Sequence, residues 1–289
     1  MNRIRRISTT EQNMSRRFFV LRIFALLVFL PFQASAVSQT FTISVVPQFT
    51  PVDIGLRWMP LLQRLEAETG YRFQLRLFEK IPKFETDFLS GAPDLVYLNP
   101  YHMIMAAKAH GYAPLVRGAE PLVGILVADR NGPIQKLEDL NDRKLAFPAP
   151  NAFGASLYLR ALLHEKAGLR FDSVYVGSHQ NVYRHVLIGD AAAGGGINAT
   201  LEKEPASLQA RLRVLFTTPG VAPHPLATHP RVPQAAQNRI RAALLKFEQD
   251  PADRKLLAAV ELDKAVSADF TRDYLPLERL KLEQYVINN

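Results

Sequence analysis

The chain has 289 residues, 48% of them hydrophobic, with 15 glycines, 20 prolines and no cysteine. That length suits one large or two ordinary domains around a real core, and the missing cysteines exclude disulfides, thiolate metal sites and cysteine nucleophiles. The formal charge is +8 from 35 basic and 27 acidic residues, but six Arg and one Glu fall within residues 1–36, leaving 29 basic against 26 acidic beyond them; no basic block with interleaved aromatics remains, which argues against nucleic-acid binding.

"MSRRFFVLRIFALLVFLPFQASA", Met14 to Ala36, has a basic start, an apolar run from Ile23 to Phe32 and a closing Ala-Ser-Ala. This is the layout of a cleaved secretory signal covering residues 1–36, with Met14 as an alternative start. The apolar run falls short of the roughly 20 residues a spanning helix needs, which disfavours an uncleaved anchor. "SRRFFVL" resembles a twin-arginine export motif. The expectation is an exported, periplasmic chain with no membrane insertion after cleavage.

Beyond it, strands alternate with helices. "FTISVV" predicts a first strand, and "LRWMPLLQRLEAETG" an amphipathic helix with Leu61, Leu62 and Leu65 inward and Gly70 as its stop. Pro60 fits if it lies in the first turn, which leaves Leu56 to Met59 as turn. "YRFQLRLF" alternates apolar and polar residues as a half-buried strand does, "DLVYL" predicts another strand, and "YHMIMAAKAHG" a helix. From Pro121, "PLVGILVAD" reads as a strand buried on both faces. "KLEDLNDRKLAF" (a short helix and a strand), "GASLYLRALLHEKAG" (helix), "SVYV" (strand), "NVYRHVLIG" (helix), "DAAAG" (strand), a helix near "NATLEKEPASL" and "LRVLFTT" (strand) follow. Past the Pro-rich stretch around His224 the chain turns helical in "QAAQNRIRAALLKFEQD" and ends in polar and aromatic turns. The pattern predicts a parallel-rich α/β protein in two lobes, residues 37–120 plus 225–289 and residues 121–224, with two chain crossings and a cleft between them.

Three strand-to-helix junctions in the second lobe draw attention. In "FPAPNAFGAS", Pro148 and Pro150 stiffen the turn, Ala152, Gly154 and Ala155 leave room for a ligand to approach the backbone, and Asn151 can cap the helix or donate to an oxyanion. The alternative is a well-capped helix packed tightly on its sheet. In "VYVGSHQNVYRHV", His179 opens a helix as a ring N–H donor to an anion, and in "DAAAGGGINATLE" Gly194 to Gly196 suggest either positive φ, a close approach or a plain loop. His224, between Pro223 and Pro225, is either a cleft contact or a solvent-facing residue. Trp58 is expected in the core and His229 at the surface, and His102, His110, His164 and His185 sit on helices at no metal-ligand spacing. A Ser178–His179–Asp190 nucleophilic set is the rival hydrolase reading, but there is no G-x-S-x-G elbow.

The order of "W-x-P-L … L-x-x-x-T-G", "G-A-P-D-L-V-Y-L-N-P", "L-E-D-L-N-D-R-K-L-A-F-P-A-P-N" and "G-S-H-x-x-V-x-x-V-x-x-G-D-A-A" resembles the PhnD-like substrate-binding proteins of phosphate, phosphite and phosphonate ABC transporters, from about Phe41 to Phe247. The resemblance implies a type II periplasmic-binding fold: two lobes on a two-strand hinge, closing over a small anion for an inner-membrane permease. It implies no enzyme activity, cofactor or metal, and a monomer; a sensor working with a histidine kinase is the alternative. The family's Ser-Thr-Ser-Gly run is replaced here by Ala152-Phe153-Gly154-Ala155, leaving Asn151, Ser156 and the backbone amides. The family's cleft histidine matches His179, its usual acidic neighbour is Gln180 here, and "Y-L-N-P-Y" offers Asn99 and Tyr101. With Asn181 and His224, these form the expected set of neutral donors. The changed run puts an aminoethylphosphonate-type ligand in doubt and leaves a small oxyanion.

Overall fold

The computed structural model describes residues 38–287, so the signal-peptide, twin-arginine and Met14 readings lie outside the described residues. In chain order the elements are β1 (Thr40–Val45), α1 (Pro51–Thr69), β2 (Arg72–Arg76), α2 (Ile81–Leu89), β3 (Leu95–Tyr97), α3 (Pro100–His110), β4 (Ala113–Arg117), β5 (Gly124–Asp129), β6 (Arg143–Phe147), α4 (Tyr158–Glu165), β7 (Phe171–Tyr175), α5 (His179–Leu187), β8 (Ala193–Ile197), α6 (Asn198–Leu201), α7 (Ala206–Arg211), β9 (Leu212–Thr217), β10 (Pro225–Thr228), α8 (Gln234–Phe247), α9 (Pro251–Ala259) and β11 (Val266–Ser267). A π-helical turn, Phe153–Leu157, leads directly into α4.

The strands form two sheets. One has the order β11-β4-β10-β3-β1-β2, the other β7-β6-β8-β5-β9. Both are mixed rather than parallel-rich. β1 pairs in parallel with β2 and β3, and β6 with β7 and β8, but β10 and β5 run antiparallel to both of their neighbours. Those two reversed strands directly follow the passages in which the chain moves from one sheet to the other. β10, "PLAT", lies within the Pro-rich stretch, where the sequence signals a crossing and hides a central strand. At the passages Leu122 and Val221 form an antiparallel bridge, with Leu122 N–H to Val221 O at 2.8 Å and the reverse bond at 3.1 Å.

α1 starts earlier than its sequence suggests. Thr50 caps it by accepting the Asp53 amide at 3.2 Å, Pro51 opens the first turn, and Gly70 ends it at φ 74°. Pro60 therefore sits inside the helix. Its missing N–H deprives the Leu56 carbonyl of a partner, and this face is open to water because Leu56 is 72% exposed. Ile54, Trp58, Leu61, Leu62 and Leu65 bury the opposite face, which favours helix over turn through Leu56 to Met59.

The second sheet is covered on both faces. Leu126, Leu145, Phe147, Leu159 and Leu163 pack on one side, and Ile125, Val127, Ala146, Val182, Tyr183 and Val186 on the other. Its central strand β8 reads Ala-Gly-Gly-Gly-Ile and is buried throughout. The three glycines are thus strand, not the loop after one, and none has positive φ. They serve close packing: a Cβ on Gly195 would overlap the Ala155 carbonyl and the Phe147 ring, one on Gly196 the Tyr183 hydroxyl, and one on Gly194 the Val182 side chain. What approaches this backbone closely is protein.

The C-terminal turns reach back to α4. The Tyr285 carbonyl accepts from Arg160 Nη2 at 2.8 Å, and Gln284 Nε2 and the Tyr285 hydroxyl each donate to Glu165 at 2.9 Å. α9, capped by Asp250, is a helix where the sequence reading expects turns.

Candidate functional site

A cavity of about 420 Å³ opens where strand ends of the two sheets meet. From the first sheet come Val46 to Gln48 after β1, Glu79 to Pro82 at the start of α2, and Asn99 after β3. From the second come Pro148 to Pro150, Ala152 to Ala155, Tyr175, Gly177 to His179 and Ile197, while Leu122 and His224 belong to the connecting passages. Ligands of open α/β sheets gather at the carboxyl ends of strands, which is where β1, β3, β6, β7 and β8 deliver these residues.

The turn after β6 supplies the densest donors. The first helical bond there is from Ser156 N–H to Ala152 O at 2.9 Å, and Leu157 N–H reaches the same carbonyl at 3.0 Å. The amides of Phe153, Gly154 and Ala155 precede that ladder, at the positive end of the helix. Behind them Arg160 is 6% exposed. Its Nε donates to Ser156 Oγ at 3.2 Å, and Nη2 to Pro150 O and Tyr285 O at 2.8 Å each. Burial pulls its guanidinium below the ordinary value, yet it stays charged, and among the described residues only neutral oxygens are bonded to it. It places a permanent positive charge behind the donor turn.

His179 opens α5, where Ser178 caps the helix by accepting the Asn181 amide at 3.2 Å. Its Nδ1 lies 3.2 Å from Thr200 Oγ1. Burial pulls the imidazole down to about 4, against a weak pull upward from Glu261. His224 is buried, stacks on Tyr97 at 5.6 Å and 22°, and is likewise lowered to about 4 by burial. Both rings are neutral at physiological pH. Tyr175 adds a buried hydroxyl that has no hydrogen-bond partner among the described residues. Glu79 and Lys80 carry the charged side chains on the exposed rim.

Several expected contacts lie elsewhere. Asn151 neither caps the helix nor faces the cavity: its Nδ2 donates to Glu85 Oε1 at 3.3 Å and Ile287 O at 3.2 Å, and its Oδ1 accepts the Ile287 amide at 3.2 Å. The C-terminal segment, remote in sequence, occupies that side chain. Ser156 is fully buried, donating to Pro150 O at 3.0 Å. Asn181 donates to Val176 O at 2.9 Å, closing its own turn. Tyr101 is half-buried against the first sheet's core rather than in the cavity wall. Asn99 does line the cavity, but its Oδ1 caps α3 through the His102 amide at 2.8 Å and its Nδ2 donates to Asn151 O at 3.3 Å. Ala152, Phe153, Gly154, Ala155, His179 and His224 are in the wall.

Gln48, Lys80 and Tyr175 join the wall without having been singled out, as does Ser178, raised above only for the rival hydrolase reading. Tyr175 and Ser178 flank His179 in the same junction, so proximity in sequence could have raised them; Lys80 sits in a polar turn with no distinguishing signal. The hydrolase arrangement is not assembled. His179 turns Nδ1 to Thr200, while Asp190 pairs with His185 at 3.4 Å. Among the described residues no group of three or more His, Asp or Glu could hold a metal ion, and no helix is long and apolar enough to cross a membrane.

Two mixed sheets joined by paired passages around a cleft define a type II periplasmic binding protein. Residues 43–274 match the family described as the periplasmic substrate-binding protein of the phosphonate ABC transporter, and the chain belongs to that family. It is a family of binding proteins, not enzymes. The phosphate-import protein PhnD of Mycolicibacterium smegmatis is 22% identical over 189 residues, a match spanning 59% of each chain. Among solved structures, PhnD1 from Prochlorococcus marinus in complex with methylphosphonate aligns at a TM-score of 0.76 and 14% identity, covering 86% of this chain and 99% of that one. The binding component of an ABC phosphonate transporter from Pseudomonas aeruginosa aligns at 0.74 and 16%, covering 86% and 88%. At such identities the structural likeness speaks for the fold.

Proposed function

We propose that this chain captures a small oxyanion of the phosphate, phosphite or phosphonate class in the periplasm and presents it to an inner-membrane ABC permease. The carrying observation is that the Phe153 to Ala155 turn and His179 line one cavity at the strand ends, with the buried Arg160 guanidinium hydrogen-bonded to Ser156 and Pro150 of the same turn. An anion held by preformed neutral donors, with its counter-charge behind them, needs no salt bridge in the cavity itself. The two sheets act as lobes, residues 37–120 plus 225–289 and residues 121–224, turning about the Leu122–Val221 bridge as a monomer. The relatives' ligands support this class without choosing a member. The missing hydroxyls of the Ala152 to Ala155 run, and Gln180 where an acid is usual, weigh against aminoalkylphosphonates.

A thermal-shift screen of residues 37–289 against phosphate, phosphite, methylphosphonate, aminoethylphosphonate and small carboxylates tests the reading. At least one phosphorus oxyanion is expected to raise Tm in a concentration-dependent way. A shift with carboxylates alone, or with none of these solutes, overturns it.

A further inference from the structure

We propose that Thr200 positions His179 so that its Nε2 meets the ligand as a hydrogen-bond acceptor, and that the site therefore selects an oxyanion still carrying an acid proton. This rests on the oxyanion reading above. The Thr200 hydroxyl has one proton and three neighbours: Ile197 O at 2.9 Å, the Tyr183 hydroxyl at 2.9 Å and His179 Nδ1 at 3.2 Å. A carbonyl oxygen only accepts, so the Thr200 proton goes to Ile197. The buried Tyr183 hydroxyl then donates to Thr200, and Nδ1–H donates to the remaining lone pair. A neutral imidazole has a single N–H, and burial keeps this ring neutral. Nε2 is left with a lone pair and has no hydrogen-bond partner among the described residues.

That lone pair repels a bare oxygen of an anion and accepts from a P–O–H. The charges near His179 leave this arrangement in place. Glu261 is paired to Lys203 at 2.8 Å, His224 is itself neutral, and Glu79 and Lys80 stand on the exposed rim. The ligand's remaining oxygens face the Phe153 to Ala155 amides, which donate. Donors on one side and an acceptor on the other fit a hydrogenphosphonate, hydrogenphosphite or hydrogenphosphate. Sulfate and sulfonates have the same shape but bring no proton near neutral pH, so they leave Nε2 opposed to an oxygen lone pair.

Two measurements on residues 37–289 decide the matter. Long-range ¹⁵N–¹H correlation of the ligand-free protein at neutral pH should show His179 protonated at Nδ1; protonation at Nε2 overturns the proposal without any variant. Calorimetry should show methylphosphonate preferred over methanesulfonate by up to about a hundredfold, the loss expected when one buried polar group goes unpaired. Thr200→Val should reduce that preference about tenfold, whereas Thr200→Ser, which keeps the hydroxyl, should retain it. Equal binding of the two ligands by the wild-type protein overturns the proposal while the oxyanion reading stands. Binding of neither, nor of phosphate or phosphite, sinks that reading and this proposal with it.

Discussion

The two walls of the cavity are built from similar strand ends, yet they differ in what they leave available. On the first sheet's side, the one buried polar side chain in the wall is committed to the protein: Asn99 caps α3 and holds Asn151, and Glu79 and Lys80 stand on the exposed rim. On the second sheet's side, three amides precede a helix, and among the described residues a ring nitrogen is unpaired and a buried guanidinium has no carboxylate bonded to it. In the proposed reading, recognition is concentrated on one wall and the other closes over it. A cleft needs two lobes to exclude water, but only one of them has to carry the donors.

The sharpest way to break this contrast is to spoil the donor wall from behind. In Gly195→Ala the new methyl group would meet the Ala155 carbonyl, and rigid backbone cannot yield as a flexible side chain would. We expect a loss of about 3 kcal/mol in chemical denaturation, with anion affinity falling in parallel as the turn is displaced. An unchanged midpoint would show that β8 and the turn are not in mutual contact.

Substitutions on the two walls should then diverge. His179→Ala is expected to weaken oxyanion binding by about 1.5–3 kcal/mol, as for a hydrogen bond to a charged partner, with little change in unfolding. Asn99→Ala should do the reverse, costing about 1 kcal/mol of stability through the lost cap of α3 and altering affinity less. Calorimetry and denaturation on the same pair of variants tests this; equal losses of affinity would place the two walls on the same footing.

The contrast can also be probed by a pH dependence without ligand. His179 and His224 are both held at about 4 in the folded chain against an ordinary 6.5. Between those values the unfolded chain binds more protons than the folded one, so stability is whole above about pH 6.5 and declines as pH falls toward 4. Tm measured across that window should drop, and the slope should flatten when both histidines are replaced by residues that do not titrate there.

Much of this was legible in advance. The alternation of strand and helix, the junctions at Pro148 and Gly177, and the prominence of His179 follow from periodicity and turn chemistry. The misreadings have physical causes. Pro60 looked like a helix start because propensity outweighed the apolar stripe from Ile54 to Leu65, which burial against the first sheet enforces. For the glycines of β8 close approach and a plain loop both stayed open, because nothing local reveals that Ala155 and Tyr183 press upon them.

Covalent order therefore established the elements, their sequence and the positions where helices begin at strand ends, since these depend on spacing and on residues a few places apart. Folding alone decided which polar groups are left for a ligand. Asn151 is taken by Ile287, 136 residues later, and His179 Nδ1 by Thr200, 21 residues later. A hydrogen-bond donor is saturated by whatever packs beside it, and that neighbour is supplied by the tertiary structure.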